Sequence, residues 1–177
     1  KNPISKIKIP KDKKNKEKKA LAKSELDDLL NKMKTLKGKN YTYYIVTLIA
    51  GTCGLRIGEI CGLRWSDIDF KNRKIIVSVQ WKKNKDGIYG FGTLKSKNSY
   101  REVPITQYTI NELMEYKNMF PIGIDNRVIQ NKNTSSVSII VSRYFKHFEY
   151  DVTIHELRHT YATLLIANGV DFKTAAQ

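Results

Sequence analysis

His155-Glu156-Leu157-Arg158-His159-Thr160 contains two of the three histidines in the chain and an arginine. Two incompatible chemistries fit this stretch, and the choice between them decides what the rest of the chain must build. Read as His-Glu-x-x-His on a helix, it offers two zinc ligands and a general base. Read as His-x-x-Arg, it sets an imidazole and a guanidinium on one helical face, because residues three apart are neighbours there. That pair suits a phosphate. A catalytic zinc needs a third protein ligand, and Asp171 is the only carboxylate after His159. Earlier carboxylates leave the zinc reading open at this point.

Charge favours the phosphate. Thirty-two Lys and Arg against seventeen Asp and Glu give +15 and a pI near 9.7. Such an excess attracts polyanions and steers encounter with them, so nucleic acid is the expected partner. Membrane partners are not expected. No window holds the roughly 18 uninterrupted apolar residues of a span, and no basic amphipathic helix with a strong apolar face stands out. Lys1-Asn2-Pro3-Ile4 has no apolar region behind it and does not read as a signal peptide. Two cysteines, Cys53 and Cys61, read as reduced and buried, which points to a cytoplasmic protein. At 177 residues and 41% apolar, the chain is one domain with a real core.

Residues 1–20 read as a basic interdomain linker, and residues 21–177 as the folded domain. Nine lysines face two acids over residues 1–19, with Pro3 and Pro10 among them. Laid along a phosphate backbone, each neutralised phosphate steepens the salt dependence of binding by about 0.9. Ser24-x-x-Asp27 resembles a weak capping box. It opens a helix with Leu26, Leu29, Leu30 and Met33 on one side, ended by Gly38. Tyr41 to Cys53 is apolar nearly all round and predicts a core helix. Gly54 breaks it, and a short helix follows from near Ile57 through Leu63.

From Arg73 the period turns to alternation. Ile75, Val77, Val79 and Trp81, then Ile88 to Leu94 and Tyr100 to Ile105, predict three antiparallel strands with basic hairpin tips. Asp67-x-Asp69 reads as a turn before the first. Helices are expected over Thr106 to Phe120, with Ile110, Leu113, Met114 and Tyr116 buried, and over Ser135 to Phe148. A last helix runs from about Ile154 to Ala167, stopped by Asn168-Gly169. The fold class is α+β and mostly α, with a small three-stranded antiparallel sheet.

An eight-residue echo links Cys53-Gly54-Leu55-Arg56 to Cys61-Gly62-Leu63-Arg64. Eight helical residues advance by roughly 800°, which sets the two arginines about 80° apart. They are therefore expected to do different jobs. Arg56 follows Gly54 at a helix start, a natural anion site, with Glu59 placed to orient it. Arg64, before Trp65, reads as a surface or packing arginine.

Three segments resemble motifs of the tyrosine recombinase (phage integrase) family, in that family's order. Thr52 to Asp69, TCGLRIGEICGLRWSDID, is similar to its first-arginine motif. Leu94-Lys95-Ser96-Lys97-Asn98-Ser99-Tyr100-Arg101-Glu102-Val103-Pro104-Ile105 resembles its lysine hairpin. Ile154 to Thr163, IHELRHTYAT, resembles its second-arginine box. The resemblance implies the DNA breaking-rejoining fold and site-specific recombination of double-stranded DNA through a 3′-phosphotyrosyl link. It implies no cofactor and no metal. It assigns Arg56 and Arg158 to the scissile phosphate, Lys95 to the hairpin lysine (with Lys97 as its off-by-two competitor) and His155 to the histidine before the second arginine. Glu59 supports them. Lys97, Arg101, Lys11, Lys13 and Lys14 are the expected DNA contacts, and His159 and Thr160 are expected to be structural.

The family's nucleophile is a tyrosine beyond a further Leu-Gly-His segment, and none of the ten tyrosines matches it. The chain is thus expected to be a catalytic-domain piece of a longer protein, inactive by itself. That protein would act as a homo-tetramer on DNA in a bacterial cytoplasm. Accessory DNA-bending proteins and a phage or mobile-element origin are implied with it. The alternatives are a DNA-binding relative without chemistry and a zinc hydrolase. Metal analysis of the purified protein decides the zinc case. No bound zinc is expected, and one equivalent of zinc that disappears in His159→Ala would establish the zinc site instead.

Overall fold

The computed structural model describes residues 20–94, 99–131 and 133–170. The expected basic linker, including Lys11, Lys13 and Lys14, lies outside the described residues, as do Lys95 and Lys97.

The fold is built round its most apolar helix. α2 (Tyr41–Cys53) is buried along nearly its whole length, as its sequence without a polar face requires. Around it stand α1 (Lys23–Lys34), α3 (Ile57–Gly62), α4 (Gln107–Met119), α5 (Thr134–His147) and α6 (Ile154–Ala167). Tyr44, Ile45, Leu48 and Ile49 of α2 meet Leu29 and Met33 of α1, Leu113 of α4, Phe145 of α5 and Leu157 of α6 in one core. Each such side chain contributes roughly 1.5–3 kcal/mol on leaving water. Gly51 lets α1 approach, since a Cβ there would stand 2.7 Å from the Leu26 Cδ1.

Helix boundaries follow the expected punctuation with small shifts. α1 does not start on Ser24. The Glu25 carboxylate folds back to accept from the Ala22 N–H at 2.7 Å, so the satisfied donor lies two residues earlier. On α4, Ile110, Leu113 and Tyr116 are buried as expected. Met114 is 51% exposed, because it follows Leu113 directly and so turns away from α2.

A three-stranded antiparallel sheet is present, with a different membership from the one expected. Its order is β1–β2–β5, made of Ile68–Asp69, Lys74–Val77 and Arg101–Pro104. β3 (Val79–Lys83) and β4 (Tyr89–Thr93) form a separate antiparallel pair. The alternating run from Ile75 to Trp81 therefore divides at Ser78. β2 takes β5 as its neighbour, with Val77 opposite Arg101, and β3 takes β4, with Val79 opposite Thr93. Period-two alternation reports which face is buried and is blind to partner exchange. Asp69 belongs to β1 and also serves the expected turn, accepting from the Asn72 N–H at 2.9 Å.

α3 lies against β3 so closely that a Cβ on Gly62 would stand 2.7 Å from the Trp81 nitrogen. On Trp81's other side the buried Arg127 guanidinium stacks 3.7 Å from the ring centroid. Arg127 is held there by Asp125 at 2.7 Å and by the carbonyls of Cys61 and Asn131.

α2 ends in a left-handed turn at Gly54, φ 64°, and the Tyr161 ring of α6 fills the space where a Cβ would be. Gly38 also has positive φ but open space around it. In both Gly54→Ala and Gly38→Ala, the backbone costs roughly 1–2 kcal/mol. Only Gly54→Ala adds a collision with Tyr161. Thermal unfolding is expected to show a clearly larger loss for Gly54→Ala, at about 2–4 °C per kcal/mol for a chain of this size. Equal losses would mean that the packing of α6 on this turn is slack.

Candidate active site

The same left-handed turn places the first arginine. After Gly54 and the buried Leu55, Arg56 sits at the extended residue just before α3. Glu59, three residues on, closes the helix start. Its carboxylate accepts from the Arg56 N–H at 2.8 Å and from the Arg56 Nη1 at 2.9 Å. The echo at Arg64 repeats the device. Asp67 accepts from the Arg64 N–H, Nε and Nη2, each at 3.0 Å. The two arginines still do different work. A helical rotation is not the reason, because the chain leaves α3 at Leu63 and each arginine precedes its own short helix. Arg64 spends its fork on Asp67 and lies over the Phe91 ring at 5.6 Å.

Glu59 is the electrostatic centre of the site. It is 3% exposed, and its two oxygens also receive Arg101 of β5, with Nη2 to Oε2 at 2.8 Å and Nη1 to Oε1 at 3.2 Å. Arg101, expected as a DNA contact, has instead turned its fork inward; its side chain is only 10% exposed. Burial alone would raise the Glu59 pKa. The hydrogen bonds from Arg101 and Arg56, with the charge of Arg101, outweigh burial and hold it below the ordinary glutamate range.

α6 brings the second arginine. Thr153 caps this helix, with its Oγ1 accepting from the Glu156 N–H, while the Glu156 carboxylate accepts from the Thr153 N–H at 2.7 Å. This reciprocal capping box fixes the first turn. Arg158, on the next turn, donates through Nη1 to the Gly54 carbonyl. Its pKa is brought down to about 10, first by burial and then by the neighbouring charges of Arg56 and Arg101. Two guanidiniums thus hold one carboxylate, and the third, Arg158, lies near enough to feel their charges. His155, exposed, stands one turn before His159, with their Nε2 atoms 3.2 Å apart and their rings edge to face.

The structure therefore brings together Arg56, Glu59, Arg101 and Arg158, whereas the contact of His155 is with His159. Thr160 has the expected structural place: its Oγ1 accepts from the Leu21 N–H and donates to the Glu156 carbonyl. The carboxylate that would serve as base in a zinc site is the helix cap. Among the described residues, no group of three or more His, Cys, Asp or Glu is arranged to hold a metal ion. Also among the described residues, no helix is long and apolar enough to cross a membrane.

The family model for phage integrases matches residues 19–177. The chain belongs to the phage integrase family. It is 34% identical over 150 residues to the ICEBs1 integrase of Bacillus subtilis (strain 168), covering 75% of this chain and 39% of that protein. It is 31% identical over 162 residues to tyrosine recombinase XerA of Thermococcus kodakarensis, covering 88% and 51%. It also resembles the solved structure of the Tn1549 transposon integrase in complex with transposon right end DNA. There the TM-score is 0.73 at 26% identity, over 93% of this chain and 58% of that one. The chain spans about half the length of such relatives or less. The fold expected from the sequence, mostly helical with a small antiparallel sheet, is that of this phage integrase domain.

Two features of the phage integrase site were not read from the sequence. The Thr153-x-x-Glu156 capping box was legible, but was hidden by the more conspicuous His-Glu-x-x-His spelling. The inward turn of Arg101 had no local signal, because Glu59 lies 42 residues away.

The Glu59 pairing sets a pH dependence. Its folded pKa is depressed, so the stability it contributes is present above the unfolded value and lost as pH falls through the folded one. Unfolding midpoints of the wild type are expected to fall steeply below about pH 4.5, the ordinary value for this group. Glu59→Gln is expected to flatten that acid limb, and an unchanged slope would show that Glu59 is not the group responsible.

Proposed function

We propose that this chain is the catalytic domain of a tyrosine-type site-specific DNA recombinase, an integrase of a phage or other mobile element. The observation that supports it is the gathering of three arginines, Arg56 and Arg101 on the buried Glu59 carboxylate and Arg158 on the Gly54 carbonyl within range of their charges. Three positive charges against one carboxylate leave an excess of two, which is well suited to a further anion. The +15 charge extends the same preference to a polyanion. The relatives in mobile elements, among them the ICEBs1 integrase and the transposase from transposon Tn916, favour the element-borne assignment.

In the proposed reaction a tyrosine oxygen attacks the scissile phosphorus and forms the 3′-phosphotyrosyl bond. The bond to the 5′-oxygen breaks, and that oxygen leaves with a proton. Arg56 and Arg158 hold the non-bridging oxygens, where negative charge grows. Lys95, protonated at neutral pH with a reference pKa of about 10.4, gives the proton to the 5′-oxygen. His155 accepts the tyrosine's proton or hydrogen-bonds the phosphate. Rejoining reverses these steps, so bond energy is conserved and no cofactor is needed.

The proposed nucleophile is a tyrosine other than the ten in residues 1–177. Tyr161 is a poor substitute. Its ring packs on the Gly54 turn, and burial holds its phenol above the ordinary tyrosine range. Double-stranded DNA is the proposed substrate, bound by a homo-tetramer with accessory DNA-bending proteins as possible partners of the whole protein. Lys97, Lys11, Lys13 and Lys14 are proposed backbone contacts.

The test uses the whole protein, including its nucleophile, on a nicked suicide substrate. Arg56→Ala and Arg158→Ala are each expected to lower covalent complex formation by about 100-fold or more, the scale of losing a donor to a developing oxyanion. Covalent complex at wild-type levels in either variant would refute the assignment of these arginines.

A further inference from the structure

We propose that Arg101 is a positioning residue that takes up the charge of Glu59 and so leaves the Arg56 guanidinium available to a phosphate. The inference rests on the recombinase reading above and adds a residue to it.

Glu59 has more hydrogen-bonding capacity than Arg56 can use without turning inward. It is 3% exposed and ionised, so each of its oxygens needs a donor. Arg56 meets part of that need with its backbone N–H and with Nη1. The rest comes from Arg101, which contacts both oxygens. The exposures show the division of labour. Arg101's side chain is 10% exposed, whereas Arg56's remains 45% exposed although it touches the same carboxylate. Arg101 also gives Nη1 to the Ser99 carbonyl at 3.2 Å, and its backbone is held opposite Val77 at the edge of β2. Both terminal nitrogens of its fork are committed, whereas Arg56 gives Glu59 one.

Charge gives the same answer. Arg56, Arg101 and Arg158 with Glu59 sum to +2. A phosphodiester carries one negative charge and approaches two as a nucleophile adds. Once Arg101 has neutralised Glu59, the two remaining charges belong to Arg56 and Arg158. Without Arg101 the sum falls to +1, each Glu59 oxygen keeps a single donor, both of them from Arg56, and the unbalanced carboxylate draws the Arg56 fork inward. The sequence region that closes the site is thus β5, through a residue that never has to touch DNA.

The test measures covalent complex formation on a suicide substrate at saturating DNA in the whole protein, alongside DNA affinity and thermal unfolding. Arg101→Gln is expected to slow covalent complex formation at least about tenfold, the size of coupling found between groups in one ion-pair network, with DNA affinity nearly unchanged. Glu59→Gln/Arg101→Gln restores the +2 sum and keeps an amide oxygen for the Arg56 N–H. It is expected to recover most of the lost rate. If Arg101→Gln alone fails to fold, the double variant decides: recovered activity supports the proposal, and a folded but slow double variant overturns it. Restored unfolding temperature without restored rate likewise overturns it, since it would mark Arg101 as a packing element only. Arg56→Ala separates the two levels. If it abolishes covalent complex while Arg101→Gln leaves the rate intact, this inference fails and the recombinase reading stands. If Arg56→Ala also leaves the rate intact, the reading itself has failed.

Discussion

A carboxylate taken out of water must be met by donors on every side or the fold loses several kcal/mol. Glu59 is that group here. Its partners come from the start of its own helix and from a strand 42 residues later, so α3 and β5 dock as one unit. Gly62 lets α3 press against the β3 backbone, and the Arg127 guanidinium clamps the far side of Trp81. The sheets and α3 therefore form a rigid wall on which Arg56 is mounted. The residue that does this is acidic, in a site otherwise lined by arginines. Its negative charge is what allows three arginines to be gathered in so small a space.

The second wall is α6, and it meets the first at a single glycine. Gly54 ends α2 in a left-handed turn, gives its carbonyl to Arg158 and leaves room for the Tyr161 ring. One residue thus terminates the core helix, launches the chain toward Arg56 and seats the opposing arginine. The guanidinium it seats is half-buried among like charges, which is why its pKa falls to about 10. It stays protonated at neutral pH, in an arrangement that favours an anion. Stability held back in this way is a usual feature of binding sites.

Much of this was readable from local pattern. The apolar run Tyr41 to Cys53 is a helix because no face of it can meet water, and it emerged with those bounds. Gly54 and Asn168-Gly169 stop helices where glycine chemistry says they should. The arginine pair, the histidine and Glu59 were each singled out by spacing and by resemblance to the phage integrases. The errors share one cause. Ser78 divides a perfectly alternating run because β5 and β4 compete for its two halves. Met114 was placed in the core by type when its angular position on α4 faces outward. Arg101 was expected as a DNA contact, and its pairing with the distant buried Glu59 had no local signal.

His155 to Thr160 shows the same division. Its letters determined that an imidazole and a guanidinium share a helical face, because the 3.6-residue period acts within the stretch itself. They also contained the capping glutamate, since Thr153 and Glu156 need only each other. What those letters left open was the opposing surface. Whether the face meets a zinc ion or a second arginine depends on groups brought in from α3 and β5. Only the packing of α6 against Gly54, set by core burial along the whole chain, places Arg158 beside Arg56 and Arg101. The local motif determined the donors, and the tertiary structure decided their surroundings, two further arginines and a buried carboxylate.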